Sequence, residues 1–176
     1  MNNAGFLLLN VVGGVAVLGG YWLGIDAHSG ENDRLWGEIP ESVRGVYSFC
    51  MFPAAFGYLA SFAYLMKADW SQLRFASRPA AGVLWALHCV FLLTAAMWMP
   101  LTWSALDHGT VALYWPIQLL LLVTGVCSAG LALSLRSLID PPYPRQARWA
   151  QWSLLALVFQ CLVLDGLVWP RFFVIA

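Results

Sequence analysis

Five apolar stretches, each about as long as the hydrocarbon core of a bilayer is thick, dominate this sequence of 176 residues. A core about 30 Å thick needs about 20 residues of helix, at about 1.5 Å per residue. The stretches run from Ala4 to Gly24, Val46 to Met66, Pro79 to Met99, Val111 to Leu135 and Trp149 to Trp169. They predict an all-α integral membrane protein, a five-transmembrane-helix bundle in which residues 1–176 form a single membrane domain.

Composition narrows the class further. Hydrophobic residues make up 61% of the chain and charged residues 10%, which excludes a water-soluble globular fold. Because the net charge is zero and no basic run is present, a nucleic-acid partner is excluded as well. Membrane lipid is therefore the surrounding medium that we expect for this multi-pass protein.

The distribution of Lys and Arg predicts the orientation, since basic residues collect in cytoplasmic loops. The connections after the second and fourth stretches carry six basic residues: Lys67, Arg74, Arg78, Arg136, Arg145 and Arg148. The opposite side carries three: Arg34, Arg44 and Arg171. We therefore expect a cytoplasmic N-terminus, an outside C-terminus and an outward-facing acidic first loop between Ile25 and Gly45.

The first stretch has a second interpretation as a cleaved signal peptide. The small-x-small triple Ala27-His28-Ser29 follows it, as a cleavage site would. Met1-Asn2-Asn3 supplies no positive charge before it, and the stretch is longer than the apolar part of most signal peptides. A retained transmembrane helix is the favoured prediction.

Small residues predict which helix faces touch, because helices in lipid associate through close backbone approach. Three stretches show such residues at helical spacing: Gly13, Ala16, Gly20 and Gly24; Ala54, Gly57 and Ser61; Gly125, Ala129 and Ala132. Prolines bend helices, and four lie toward the predicted outer side: Pro53, Pro100, Pro116 and Pro170. They predict a bundle that opens on that side, and simple tolerance of prolines near helix ends is the alternative.

Ten tryptophans are the second unusual feature. A belt at the membrane interfaces accounts for six of them by position: Trp22, Trp70, Trp103, Trp149, Trp152 and Trp169. Trp85 and Trp98 lie nearer the hydrocarbon and share a broad stripe with His88 on the third span. This aromatic wall suits a planar or polycyclic ligand, and ordinary helix packing is the competing interpretation.

Two ionisable side chains lie inside predicted spans, where they are costly and therefore candidates for function. His88 has three competing roles: a hydrogen-bonded structural imidazole, which is favoured, an axial ligand to haem or chlorophyll, and a proton carrier. Asp165, in the fifth span, could bind a cationic group, stabilise a carbocation, take protons or pair with a donor from another span. The cofactor is thus unknown, with haem, porphyrin or chlorophyll as the candidates.

Catalytic and metal-binding motifs are absent from the sequence. It has no Ser nucleophile elbow, His-Glu-x-x-His or Gly-rich phosphate loop, so a non-enzymatic function is the favoured prediction. Its four cysteines, Cys50, Cys89, Cys127 and Cys161, lie one on each of the last four spans, without the close pairing of a metal site.

The run Ala95-Ala96-Met97-Trp98-Met99-Pro100-Leu101-Thr102 resembles the Asn-x-x-Trp-x-Pro pattern on the third helix of the tryptophan-rich sensory protein, or translocator, family. Trp36 and Pro40 resemble the Trp- and Pro-bearing first loop of that family, whereas Ala95 replaces the Asn. The resemblance implies a five-helix bundle, commonly a homodimer, that binds porphyrins or sterols under the first loop. It implies ligand contacts at Trp36, Trp98 and Pro100.

Three functions follow as hypotheses. The favoured one is binding of a hydrophobic polycyclic or tetrapyrrole ligand between the second, third and fifth spans, against Trp85, His88 and Trp98, with Asp165 or His88 making one polar contact. The first alternative is an accessory subunit of a respiratory or photosynthetic membrane complex. The second is an enzyme similar to the sterol-isomerase-like membrane fold, with Asp165 as the acid.

Overall fold

The computed structural model describes residues 2–76 and 78–175, and helices account for most of them. In chain order the helices are α1 (Asn3–Ala27), α2 (Asp33–Trp36), α3 (Glu41–Lys67), α4 (Ala81–His108), α5 (Tyr114–Arg136) and α6 (Pro144–Val158). A 3-10 turn, Val111–Leu113, precedes α5. After α6 the chain continues as a π-helix, Phe159–Val168, and a 3-10 turn, Trp169–Arg171. Two short strands, β1 (Arg74–Phe75) and β2 (Arg78–Pro79), pair antiparallel between α3 and α4.

Among the described residues, five helices are long and apolar enough to cross a membrane: α1, α3, α4, α5 with its 3-10 turn, and the continuous segment Pro144–Arg171. The prediction of five such helices is confirmed, and the chain is consistent with a multi-pass membrane protein. The predicted end of the third stretch at Met99 is wrong for the helix, because α4 runs through Pro100 to His108. Pro100 cannot bond the carbonyl of Ala96, and that oxygen instead faces Gly20 of α1, where no side chain obstructs it.

The long helices form a ring. α1 packs on α4, α4 on α5, α5 on α6 and its π-helical continuation, and α6 on α3. The ring closes through polar contacts between α3 and α1: the Asn3 amide donates to the Met66 carbonyl (2.8 Å), and the Tyr58 hydroxyl donates to Asn10 (2.5 Å). α1 and α4 run parallel, since Gly13 lies against Leu92 and Gly24 against Trp103, whereas the directly connected neighbours α4 and α5, and α5 and α6, run antiparallel.

Glycines mark the closest approaches in this ring. A Cβ built on Gly57 would lie 2.1 Å from the Ser153 carbonyl oxygen, so α3 and α6 touch backbone to backbone. One built on Gly125 would lie 2.6 Å from Cα of Leu162, where α5 meets the π-helix. Gly13, Gly20 and Gly24 face α4, which confirms that part of the predicted α1 stripe, whereas Ala16 is exposed.

The bundle has a basic end and an acidic end. The six basic residues predicted to share one side do lie at one end: Lys67, Arg74, Arg78, Arg136, Arg145 and Arg148. Six acids lie at the other end: Asp26, Glu31, Asp33, Glu38, Glu41 and Asp107. Two separate clusters of buried apolar side chains fill the corresponding halves, called here the basic half and the acidic half.

The tryptophans divide differently from the predicted belt. Trp22, Trp149 and Trp152 are well exposed, as a belt requires. Trp70, Trp103 and Trp169 are buried, so their assignment to the belt is wrong. Each of the three lies near an end of the bundle but points inward, because the chain beyond the long helices folds back over them: the segment after α3 on one end, and the first loop and C-terminal segment on the other.

Candidate functional site

Five of the six residues singled out from the sequence fall into two places that do not touch. Trp85 and His88 lie in the basic half, whereas Trp36, Trp98 and Asp165 lie with the acidic-half cluster. Trp85 and Trp98 are thirteen residues apart on α4, which at about 1.5 Å per residue is about 20 Å along the axis. One ligand of ordinary size therefore cannot contact both groups as predicted.

Phe6 occupies the centre of the basic-half aromatic cluster. Its ring lies 4.9 Å from His88, 4.9 Å from Trp70 and 5.9 Å from Trp85, all edge to face. Phe6 and His88 are fully buried. The space beside Trp85 and His88 is thus taken by a side chain of the protein itself.

His88 is engaged on one nitrogen only. Its Nδ1 lies 2.7 Å from the Leu84 carbonyl oxygen, so Nδ1 carries the proton and donates, while the buried Nε2 has no hydrogen-bond partner among the described residues. Phe6 and Tyr58 lie against the ring, at 4.9 and 6.0 Å. A haem or chlorophyll does not fit at Nε2 while these rings occupy their positions.

Trp98 lies in a more open aromatic group in the acidic half. Its indole Nε1 donates to the Tyr21 hydroxyl (3.0 Å), and its ring meets Trp169 edge to face at 5.8 Å. Trp169 in turn stacks on Phe173 at 4.2 Å. Trp98 and Tyr21 are partly buried, so their faces are not fully covered by the protein.

Asp165 lies on the π-helix, and the widened coil explains its hydrogen bond. The Gln160 amide donates to Asp165 Oδ1 at 2.9 Å, five residues along the chain. In an α-helix, residues five apart do not share a face, whereas the i→i+5 pattern of a π-helix brings them together. π-helical segments are rare and concentrate at functional sites.

Tyrosine and cysteine side chains lie near this carboxylate. Protein atoms surround Asp165 densely, with Tyr21, Tyr47 and Cys161 close enough to feel its charge. The side chain nevertheless keeps accessible surface. Asp165 and its neighbours Tyr21, Tyr47, Gln160 and Cys161, together with Trp98, which donates to Tyr21, are called here the Asp165 chamber.

The first loop covers the acidic end as a lid, residues 28–40. Trp169 Nε1 donates to the Leu35 carbonyl (2.8 Å), and the Glu38 amide donates to the Phe172 carbonyl (2.8 Å). Gly37 has φ +54° and passes so close to Phe172 that a Cβ would lie 2.3 Å from its carbonyl oxygen. Trp36, on this lid, meets Tyr47 edge to face at 5.9 Å, which agrees with a first loop folded over the site.

The other end of the lid is fastened by His28. Its Nδ1 lies 2.8 Å from the Gly24 carbonyl oxygen, and its Nε2 lies 3.0 Å from Asp107 Oδ2. Both partners are acceptors, so both contacts are hydrogen bonds only when the imidazole is protonated. The Gly24 carbonyl, followed by Asp107, raises the pKa of His28 above its usual value. The ring stacks on Trp103 at 3.8 Å, an arrangement that favours the cation.

Pro100 is exposed on α4 beside α1 and does not line the chamber. Two aromatic residues of the chamber, Tyr21 and Tyr47, were not singled out from the sequence. The sequence shows that α1 and α3 carry tyrosines in the acidic half, but no local sequence pattern indicates that these tyrosines lie near Asp165. The Tyr47 hydroxyl donates to the Leu164 carbonyl (3.0 Å) and so ties α3 to the π-helix.

The basic end presents grooves on its surface. An open groove of about 410 Å³ is lined by Arg145, Arg148, Trp149 and Trp152. A second of about 250 Å³ adjoins it at Trp149, between α3 and α6, and is lined by Ala60, Ala63, Tyr64, Lys67, Gln146, Trp149 and Ala150. Neither groove reaches the Asp165 chamber.

The chamber has few groups for chemistry. It offers aromatic faces, one carboxylate, one amide and a thiol, and the four cysteines of the chain are free. Within residues 2–76 and 78–175, no three His, Cys, Asp or Glu side chains lie together as metal ligands would. Comparison of the chain with protein-family models, with curated proteins and with solved structures finds no match.

Proposed function

We propose that this chain is a five-span membrane protein that binds a hydrophobic polycyclic ligand, of the porphyrin or sterol class, in the Asp165 chamber. The proposal places the basic end in the cytoplasm and the lid outside. The observation that carries it is a partly buried carboxylate inside a predicted span, with aromatic side chains near it. An intramembrane acid is costly, and ligand recognition is one reason to keep it.

The aromatic side chains supply the apolar contact. Trp98 and Tyr21 are partly buried and can offer ring faces to a flat ligand. Aromatic pairs contribute about 0.5 to 1.5 kcal/mol each beyond the area that they bury. Two or three such contacts account for micromolar binding when the ligand also leaves water.

Asp165 supplies orientation. Gln160 donates to one carboxylate oxygen, and the other is free to accept from a pyrrole N–H or a sterol hydroxyl. The lid then closes over the ligand, held by the Trp169 and Phe172 contacts to residues 35 and 38. The ligand class follows the resemblance to the translocator family, and Trp85 and His88 are not part of the proposed site.

The test is ligand titration of the purified full chain in detergent, with a porphyrin and with a fluorescent sterol. Trp98→Ala should weaken binding about tenfold, the loss of about 1.4 kcal/mol that one ring contact supplies. Trp149→Ala, which removes an exposed indole at the opposite end, should leave the affinity unchanged. Tryptophan quenching is corrected for the lost indole in both variants.

Asp165→Asn separates orientation from apolar contact. It keeps the shape of the side chain but replaces one acceptor oxygen by a donor, so we expect weaker binding of both ligands with little change in melting temperature. If neither ligand binds at micromolar concentration, or if Trp98→Ala and Asp165→Asn both leave binding unchanged, the proposal fails. The accessory-subunit hypothesis then takes its place.

A further inference from the structure

The two grooves at the basic end form one continuous surface around Trp149, called here the Trp149 groove. Its charged part is Arg145, Arg148 and Lys67, from the start of α6 and the end of α3. Its apolar part is the alanine face of α3 and α6 and two exposed indoles: Ala60, Ala63, Ala150, Trp149 and Trp152. Cations thus lie at the tip of the bundle, and apolar surface leads from them toward its middle.

The cations of this groove form no ion pair among the described residues. The ion pairs among the described residues, His28–Asp107, Arg34–Glu31, Arg34–Asp107 and Arg44–Asp33, all lie at the acidic end. Arg145 and Arg148 are exposed. The groove therefore carries free positive charge and complements an anion.

We propose that the Trp149 groove binds one anionic phospholipid. The phosphate lies against Arg145, Arg148 and Lys67, and an acyl chain runs along Ala60 and Ala63 between α3 and α6. Basic pockets between helices at a membrane surface select anionic headgroups, and each Lys or Arg there adds to the attraction. The proposal does not depend on the ligand proposed for the Asp165 chamber.

The shape of the groove favours a lipid over a soluble anion. A site for a small anion encloses it with several converging donors, whereas this groove is open and most of its second part is lined by carbon. Exposed Trp149 and Trp152 mark the headgroup level of a bilayer, where an indole packs on acyl chains and keeps its N–H in the polar region. An amphiphile with a phosphate at one end matches both parts.

The test compares two double variants that remove the same charge from the same end of the molecule. Arg145→Gln with Arg148→Gln removes two cations that line the groove. Arg74→Gln with Arg78→Gln removes two exposed cations on the β-hairpin, outside the groove. Affinity for phosphatidylglycerol relative to phosphatidylcholine is measured by native mass spectrometry of the full chain.

We expect the groove variant to lose about tenfold or more in phosphatidylglycerol affinity, and the hairpin variant to lose less than about twofold. Trp149→Ala should weaken binding of both lipids, because it removes apolar contact without changing charge. Melting temperatures in phosphatidylcholine nanodiscs should be the same for all variants, since the substituted side chains are exposed.

Three results would overturn the proposal. Equal losses in the two double variants would mean that the whole basic end attracts lipid without a site. A wild-type chain that binds both lipids equally would remove the selectivity. Displacement of the lipid by millimolar glycerol phosphate would show that the groove holds a soluble phosphate instead.

Discussion

At the acidic end, His28, Arg34 and Arg44 are all paired with acids, and these pairs fasten the lid. At the basic end, Lys67, Arg145 and Arg148 line an open groove and form no ion pair within the part of the chain that the structure describes. Ion pairs at the acidic end thus hold the lid in place, whereas the cations of the groove at the basic end are exposed and, in the described part of the chain, unpaired.

The packing of the interiors also differs between the two halves, and here the basic half is the more closed one. The basic half is filled around Phe6, and its histidine, His88, is fully buried. The acidic half contains an acid with accessible surface and aromatic rings that are only partly covered. The basic half thus has the fully packed interior and the open surface groove, so the two sites that we propose lie in different halves.

The largest expected effect is an all-or-none difference in labelling, which reports on which side of the membrane each end lies. Ser29→Cys and Ser71→Cys are each made in a variant whose four native cysteines are replaced by alanine. Both serines are exposed, one on the lid and one at the basic end. An impermeant maleimide applied outside should label position 29 only, since the basic end is expected in the cytoplasm. Labelling of position 71 alone would reverse the proposed orientation.

The second effect concerns the filled interior of the basic half. Phe6→Ala removes a fully buried ring from among Trp70, Trp85 and His88 and should cost about 3 to 5 kcal/mol. Leu8→Ala on the same helix is the control, because Leu8 is 64% exposed and has few contacts to lose. Unfolding in mixed micelles measures both. Similar losses would mean that the basic half is not a packed core.

The third effect tests the close contact between α3 and α6 in the ring. Gly57→Ala puts a Cβ into the Ser153 backbone and should cost about 2 kcal/mol or more. Gly45→Ala, on the same helix, meets nothing within 4 Å and should be neutral or stabilising by up to about 1 kcal/mol. If the Gly57 variant unfolded at the temperature of the Gly45 variant, the close approach of α3 to α6 would be excluded.

The helices and their contact faces were predictable, because lipid imposes strong local rules. Hydropathy located five helices, and the small residues at 13, 20, 24 and 57 do lie where helices touch. The clustering of six basic residues at one end also followed from the order of the loops.

The main error in the predicted site was the position of its residues along the helix axis. The periodicity of α4 puts Trp85, His88 and Trp98 on a broad face but says nothing of their separation along the axis, which the rise per residue makes about 20 Å. The π-helix was not predictable from local sequence, and with it the pairing of Gln160 with Asp165 was missed. Nor does position near a helix end tell whether a tryptophan is exposed, as Trp22 is, or buried, as Trp103 is.

The smallest expected effect concerns how protonation of His28 holds the lid. The pKa of His28 is raised in the folded chain, mainly by the Gly24 carbonyl and then by Asp107, with Glu31 adding in the same direction. A raised pKa means that the folded state holds the proton more tightly than the unfolded state does. The contribution to stability is therefore complete below about pH 6.5, the ordinary value for histidine, and is lost as the pH rises through the raised pKa.

We therefore expect the lid to loosen above about pH 6.5, when His28 keeps its bond to Gly24 but can no longer donate to Asp107. Arg34, which also reaches Asp107, limits the change.

The difference in melting temperature between the wild type and His28→Gln should narrow by about 2 °C or less between pH 6 and pH 9. Amide hydrogen exchange at Glu38, corrected for the intrinsic rate, should rise over the same range in the wild type only. His108→Gln, at the same end of the bundle, is the control and should retain the wild-type pH dependence. A pH dependence that survives in His28→Gln would assign the effect to another group and leave the lid fastened by its Trp169 and Phe172 contacts alone.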